Sequence, residues 1–328
     1  MKAFVNQHTV DSSTSFLPKR SYSTTKTATT MSAKTTSNTP LTEARPAVCA
    51  LVPPGQCQFG SDKTPVPLLE RKKVSHDTSL FRFGLPDPNK PLNLATCACL
   101  LVSANIPNHN KENNDVEEVT RPYTPISTNA DVGYFDLMIK RYDDGLMSKY
   151  LHDDLDVGKC MDFWHIDKNV KLQAPFDDYD TLILLAGGTG ITPMIQALHA
   201  ILGDNMDGNK DGPKQRKKVV LLYGSKTQDD ILAKPLLDAW AKDHSDQFTF
   251  VNVLSEEPDD SSWKGPRGFI NRELVEKYVP DPTDPRVGIL VCGPPPLYNS
   301  LCGPRDESDK VTGFLGDMGC TAKQVYKF

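Results

Sequence analysis

Thr181-Leu182-Ile183-Leu184-Leu185-Ala186-Gly187-Gly188-Thr189-Gly190-Ile191-Thr192-Pro193 is the stretch around which this 328-residue chain is organised. The unbroken apolar run that ends at Ala186 has the pattern of a strand buried on both faces. It stops on glycines and a threonine, where backbone can approach another group closely. A helix follows, with Thr192 as its expected N-cap, Pro193 at its first position, and Ile195, Leu198 and Leu202 along its apolar face. Strand, glycine-rich turn and helix N-terminus together favour a phosphate, because unpaired amides and the helix dipole point at it. The spacing is not G-x-G-x-x-G, and a plain strand-to-helix turn is the other reading of the same residues.

Downstream the plan repeats. Residues 218–223 and 248–254 read as strands around a helix at 229–242. A shorter helix at 272–278 precedes a strand at 287–291, which ends on Cys292-Gly293-Pro294-Pro295-Pro296. Alternating strand and helix predicts a doubly wound α/β domain with a parallel sheet over 175–328, its ligand crevice at the carboxyl ends of the strands. Cys292 lies at such an end, small and apolar enough to line a pocket. No His/Asn partner is written near it to make a nucleophile, and no G-x-S-x-G signals a serine hydrolase.

Upstream, residues 61–174 carry short apolar runs separated by turn signals, at 80–85, 97–102, 134–139 and 160–164, with a polar loop at 108–118. That pattern predicts a small antiparallel barrel. Within it, Arg121-Pro122-Tyr123-Thr124-Pro125-Ile126-Ser127 has the makings of a flavin strand. Two prolines hold the backbone extended, and the Thr124 hydroxyl and remaining amides can face a ring edge. A tyrosine face can pack on the ring, and the arginine fork suits a phosphate. An edge strand with an ion pair is the alternative. Gly145-Leu146-Met147-Ser148 before Lys149-Tyr150-Leu151 reads as a tight turn entering a helix, an anion site suited to a pyrophosphate.

The hydrophobic fraction is 38% and the formal net charge is -5, with no long basic stripe, which excludes a nucleic-acid binder. Arg71-Lys72-Lys73 and the run at 214–218 are solvated loop charges or guides for an acidic protein partner. The eight cysteines contain no C-x-x-C, so no zinc site or thioredoxin motif is written and no metal is expected. No stretch reaches 18 apolar residues, so any work at a membrane is peripheral docking. Residues 1–60 read as a disordered leader. Lys2, Lys19, Arg20, Lys26, Lys34 and Arg45 stand there among Ser and Thr with only Asp11 and Glu43 as acids through residue 46. This is the composition of a mitochondrial transit peptide, with Arg20-Ser21-Tyr22-Ser23 resembling a processing site. A tail without an address is the alternative, and it would leave the chain in the cytosol or at the endoplasmic reticulum membrane.

Jointly, the three motifs resemble those of the NADH–cytochrome b5 reductases, within the ferredoxin-NADP reductase-like superfamily, from about residue 68 to 328. The resemblance implies an antiparallel Greek-key β-barrel that binds FAD, followed by the α/β NAD-binding domain. Hydride would come from NADH, and single electrons would leave to cytochrome b5 or a similar acidic haem protein, with the enzyme a monomer. By motif position, Arg121, Pro122, Tyr123 and Thr124 would bind the flavin, and Gly145, Met147 and Ser148 would hold its pyrophosphate. Ile139, Lys140 and Tyr142, in a stretch like the family's I-K-x-Y, would border flavin and nicotinamide nucleotide. Gly188, Thr189, Gly190, Thr192 and Pro193 would meet both cofactors. Cys292, Gly293 and Pro294 would face the nicotinamide, while Tyr223 and Gly224 would lie beside the adenosine. The resemblance gives Thr124 and Thr192 hydrogen bonds near the flavin, makes Cys292 part of the nicotinamide wall, and matches Phe328 to the family's terminal aromatic residue.

Departures from the family pattern are specific. Leu146 replaces a basic residue, and residues 92–99 lack the usual G-x-H. Phe163-Trp164-His165-Ile166 stands where R-G-P is common. Leu254-Ser255-Glu256 stands for Leu-Asp, so Glu256 or Glu257 would take the ribose hydroxyls and repel a 2′-phosphate, favouring NADH. The same motifs also suit a diaphorase for ferric chelates or quinones, and a nucleotide-sensing module without turnover is the reading from another class.

Overall fold

Burial alternates at 160–164 in the first half and is nearly continuous at 181–187 and 287–292 in the second, and the two halves build two different sheets. The computed structural model describes residues 44–107, 116–166, 176–205, 217–279 and 281–328. A short strand, β1 (Val48–Cys49), comes first. Next come β2 (Thr64–Lys73), β3 (Thr78–Gly84), β4 (Leu100–Pro107), β5 (Val116–Tyr123) and β6 (Tyr134–Lys140). A single-turn helix, α1 (Leu146–Lys149), leads to β7 (Cys160–Trp164). The strands from β2 to β7 form one sheet in the order β5-β4-β7-β2-β3-β6, with every neighbouring pair antiparallel. β7 returns to lie between β4 and β2, the long connection of a Greek key. Phe81, Phe83, Phe135 and Phe163 are fully buried where the sheet curls on itself. Phe83 and Phe163 meet edge to face at 4.8 Å.

The second half runs β8 (Thr181–Gly187), α2 (Ile191–Leu202), β9 (Asp204–Asn205), β10 (Lys218–Ser225), α3 (Lys234–Asp243) and β11 (Phe248–Leu254). It continues through α4 (Arg272–Tyr278), β12 (Val287–Cys292), α5 (Pro295–Leu301), α6 (Gly313–Asp317) and β13 (Val325–Lys327). Its sheet has the order β11-β10-β8-β12-β13, all parallel. The central strand explains its own sequence. Leu182, Leu184 and Ala186 pack in the core shared with α2 and α3, while Ile183 and Leu185 pack in a second core with α4, α5 and α6. Burying such a side chain stabilises by about 1.5–3 kcal/mol, which is why no polar residue interrupts the run. All carboxyl ends of this sheet point to one side, so Gly187, Ser225, Leu254 and Cys292 lie along a common edge.

Several boundaries differ from the sequence expectation. The run at 97–102 becomes strand only from Leu100, because Cys97 takes φ +63° and Ala98 N–H bonds Ala95 O in a turn. Val116 to Glu118, expected in a loop, belong to β5, and the rest of that loop, 108–115, lies outside the described residues. Helix α2 opens on Ile191 after a 3-10 turn at Gly188–Gly190, so Thr192 sits inside the first turn and is not the cap. The helix expected at 229–242 is split: Ala233 at φ +57° separates a short turn at Gln228–Asp230 from α3.

Part of the stretch expected as a leader belongs to the fold. Residues 1–43 lie outside the described residues, but 44–60 are built into the fold. Trp240 Nε1 donates to Arg45 O at 2.8 Å, and Val48 N–H donates to His199 Nδ1 at 3.0 Å. β1 pairs in parallel with β9, passing so close to Gly203 that a side chain there would strike the Val48 and Cys49 backbone. The strand then crosses to the barrel, where Phe59 is 1% exposed and Gln58 bonds Asp87 N–H and Pro91 O.

Candidate cofactor-binding site

A single cleft of about 890 Å³ opens where the barrel meets the carboxyl edge of the parallel sheet. It is large enough for an extended ligand and takes its walls from both halves. Pro122, Tyr123, Thr124, Ile139, Lys140, Tyr142 and Ser148 line it from the barrel side. Gly188, Thr189, Gly190, Thr192, Pro193, Gly224, Glu256, Cys292, Gly293 and Pro294 line it from the other. The expected motifs therefore converge, though they are far apart in sequence.

The floor is built by close backbone approach. A Cβ on Gly190 would overlap the carbonyl of Cys292, so the turn after β8 and the turn after β12 fit together only with glycine there. Gly188 has φ +54° and open space where its Cβ would be, which leaves the cleft clear in front of its backbone. Tyr223, expected beside the adenosine, is instead fully buried beneath this turn and donates its hydroxyl to Gly188 O at 2.9 Å. Its position on the inward face of β10 makes it a support for the turn.

Three further expected contacts do not line the cleft. Met147 is 2% exposed and packs in the barrel core. Gly145 shapes the turn: the Ser148 hydroxyl bonds Gly145 O at 3.1 Å and accepts from Tyr142 N–H at 3.1 Å. Arg121 turns back to its neighbour, donating to Thr120 O at 2.7 Å. By contrast, the hydroxyls of Thr124 and Thr192 line the cleft, and neither has a side-chain partner among the described residues.

One end of the cleft is ionic. Lys140 pairs with Asp77 and lies 4.0 Å from Asp230 across the domain junction. His76 Nε2 stands 3.4 Å from Asp77 and 3.9 Å from Asp230. Ligand atoms of His76, Asp77 and Asp230 lie within 4.8 Å of one another, and the Lys140 ammonium already pairs with Asp77 and stands beside Asp230 there. Burial pushes the Asp77 carboxyl up, yet hydrogen bonds from Lys140, Thr78 and Ser75 and the Lys140 charge carry it below its ordinary value. Glu256 pairs with Lys226 at 3.0 Å, while Glu257 is occupied by the backbone and side chain of Gln228. The other end is apolar and thiol-rich, with Cys97, Cys99, Cys292, Tyr326 and Phe328. Cys97 Sγ donates to Pro193 O at 3.3 Å. Burial pushes the Cys292 thiol up to about 11, so it is neutral at pH 7 and serves as a wall. Asp77, Asp230, Lys226, Phe269 and Arg305 also line the cleft without belonging to any motif, and nothing local in the sequence marks them.

These residues fit a flavin and a nicotinamide dinucleotide. Unpartnered hydroxyls, an open glycine turn at a helix start and an apolar ring-sized end supply the needed hydrogen bonds, phosphate approach and stacking room. Comparison with known proteins agrees. A family model for the oxidoreductase FAD-binding domain matches residues 65–164, and one for the oxidoreductase NAD-binding domain matches residues 184–303. The NADH-cytochrome b5 reductase 2 of Scheffersomyces stipitis is 35% identical over 272 residues, covering 82% of this chain and 84% of its own length. The protein of the same name from Yarrowia lipolytica is 37% identical over 265 residues, covering 80% and 84%. Among solved structures, the cytochrome b5 reductase domain of Ulva prolifera nitrate reductase aligns with a TM-score of 0.65 at 28% identity, over 85% of this chain and 100% of that one. With both halves matched in the same order and the motifs joined in one cleft, the chain belongs to the NADH-cytochrome b5 reductase family.

Proposed function

We propose that this chain is an FAD-dependent reductase that takes hydride from NADH and passes single electrons to cytochrome b5. The observation that carries the reading is the single cleft into which the Tyr123-Thr124 segment at the end of β5, the glycine turn after β8 and the Cys292 loop all open. Bound FAD supplies the two-electron to one-electron conversion. The protein supplies orientation and electrostatics. Thr124 and Thr192 would direct hydroxyls at the flavin, and the barrel turn at Ser148 would present amides to its pyrophosphate. Gly188, Thr189 and Gly190 would admit the dinucleotide phosphates to the start of α2. Cys292, Gly293 and Pro294 would set the depth of the nicotinamide, with the neutral thiol adding neither charge nor nucleophile.

An anaerobic NADH titration of the full chain tests this, following flavin absorbance and then the reduction of added cytochrome b5. One equivalent of NADH should bleach the flavin and reduce two equivalents of cytochrome b5. Folded protein that binds no FAD would end the reading.

The composition of residues 1–46 further supports a mitochondrial address. The test is import into isolated mitochondria with and without these residues, and protein imported equally well without them would refute the address. No helix among the described residues is long and apolar enough to cross a membrane, and we propose only peripheral association.

A further inference from the structure

Strand β13 lies at the edge of the parallel sheet, paired on one side only, with β12. Its alternation is regular in direction but not in chemistry. Val325 and Lys327 point inward at 3% exposure each, whereas Tyr326 and Phe328 line the cleft. A lysine at an inward position is expensive to bury without compensation. Among the described residues no carboxylate compensates it. The Lys327 ammonium instead donates to the carbonyls of Pro304, Glu307 and Lys310 at 2.8, 2.9 and 2.9 Å. Three protons meet three acceptors, so the group is fully satisfied.

Those carbonyls belong to the loop between α5 and α6, which is tightly begun. Gly303 has φ +82°, and a Cβ there would strike the Thr312 hydroxyl oxygen. Lys327 thus ties the loop to β13, between the two residues whose rings form the cleft wall. These rings meet edge to face at 4.7 Å and 76°. Phe328 is held further by its own N–H to Val291 O at 3.1 Å and by the Tyr298 hydroxyl to its carbonyl at 2.8 Å. The end of β13 is therefore held by the loop through Lys327, and by β12 and α5 through Phe328.

We propose that Lys327 is a positioning residue: clamped by the 304–310 loop, it holds Tyr326 and Phe328 as a rigid aromatic wall that orients the nicotinamide ring in the apolar end of the cleft. This rests on the cofactor reading above. Lys327 touches no substrate and acts only through its two neighbours.

Lys327→Met, Lys327→Gln and Lys327→Arg test the idea on the full chain. Without cofactors, the Met variant should speed tryptic cleavage after the already exposed Arg305 and Lys310 and speed amide exchange at 304–310 and 325–328, leaving the barrel unchanged. With FAD and NADH, its KM for NADH should rise about three- to tenfold, as expected when a ligand-orienting contact loosens. The primary isotope effect with 4-deuterated NADH should also grow as hydride transfer becomes slower than binding. Gln should fall between Met and the parent, and Arg should restore the isotope effect, since its fork can still reach carbonyls. A lower folded fraction with unchanged KM and isotope effect would overturn the proposal, as would unchanged exchange and proteolysis in the loop. If the parent chain bound no flavin at all while the loop still loosened on substitution, the cofactor reading would be at fault and the clamp would stand as structure alone.

Discussion

Gly188 and Gly190 sit in one turn and make opposite demands. Gly190 has an ordinary φ but no room, whereas Gly188 has room but a left-handed φ. Gly190→Ala should therefore destabilise by about 1–3 kcal/mol, the cost of overpacking, and separate the β8 and β12 turns. Gly188→Ala should cost only about 1–2 kcal/mol of backbone strain. Urea denaturation of both variants, with flavin bleaching by NADH as the functional reading, checks the contrast, and loss of bleaching in the Gly188 variant alone would contradict it. Glu256 gives a second test. The sequence casts it as the acid that repels a 2′-phosphate, but in the structure its charge is taken up by Lys226. Glu256→Gln frees that lysine, so the NADPH-to-NADH ratio of kcat/KM should rise about three- to fivefold, the worth of one exposed ion pair. An unchanged ratio would assign discrimination to the other acids of the cleft. That Thr124, Thr192 and Cys292 line the cleft was legible because each sits in a motif whose backbone shape is local. That the Tyr223 and Met147 side chains are buried away from the cleft was not legible, because which face of an element is inward depends on what packs there.

The segment 44–60 has no periodicity long enough to read, because β1 is two residues long and its partners are side chains of distant helices. It nonetheless bridges both halves. A chain beginning at Ser61 should melt about 5–10 °C below one beginning at Ala44, since it loses buried Phe59 and Cys49 and the bonds to Trp240 and His199. His199 adds a pH signature. Burial, with the Arg45 charge beside it, pushes its imidazole down to about 3, and its Nδ1 must stay unprotonated to accept from Val48 N–H. Below the unfolded value of about 6.5 the unfolded chain binds a proton that the native state refuses. Stability is thus intact above about pH 6.5 and falls as pH drops toward 3, by about 2 kcal/mol at pH 5. His199→Gln should flatten this acid limb, and the chain beginning at Ser61, with His199 uncovered, should show a shallower one. Urea midpoints at pH 7 and pH 5 measure it; equal slopes in all three chains would remove His199 as the cause.

The two halves meet through a shared apolar patch, in which Leu80, Ile126 and Met138 of the barrel join the core of Ile191, Met194 and Ile195. Gln196 stitches the same junction, donating its amide to Pro125 O at 2.8 Å and Ser127 O at 2.6 Å. It thereby ties the middle of α2 directly to the segment that follows β5 and carries Thr124. Gln196→Ala leaves both carbonyls unpaired and should cost about 1–3 kcal/mol. Because the contact aligns the two cofactor-binding halves, flavin reduction measured by anaerobic stopped flow should slow more than NADH binding weakens. Weaker binding at an unchanged rate would mean that Gln196 serves the α/β half alone.

Composition, periodicity and three motifs were enough to determine two domains of different sheet type, their order, the apolar central strand and the residues that line the cleft floor. Those features follow from short-range rules: side-chain alternation, turn chemistry and the preference of glycine and proline for particular backbone shapes. The tertiary structure alone decided the strap that joins Arg45 to Trp240, the pairing of Lys226 with Glu256, the support of Gly188 by Tyr223 and the clamp on Lys327. Each joins residues distant in sequence, and such pairs form only where packing has already brought two elements together. Their partners are therefore properties of the assembled core and are not encoded in any local pattern.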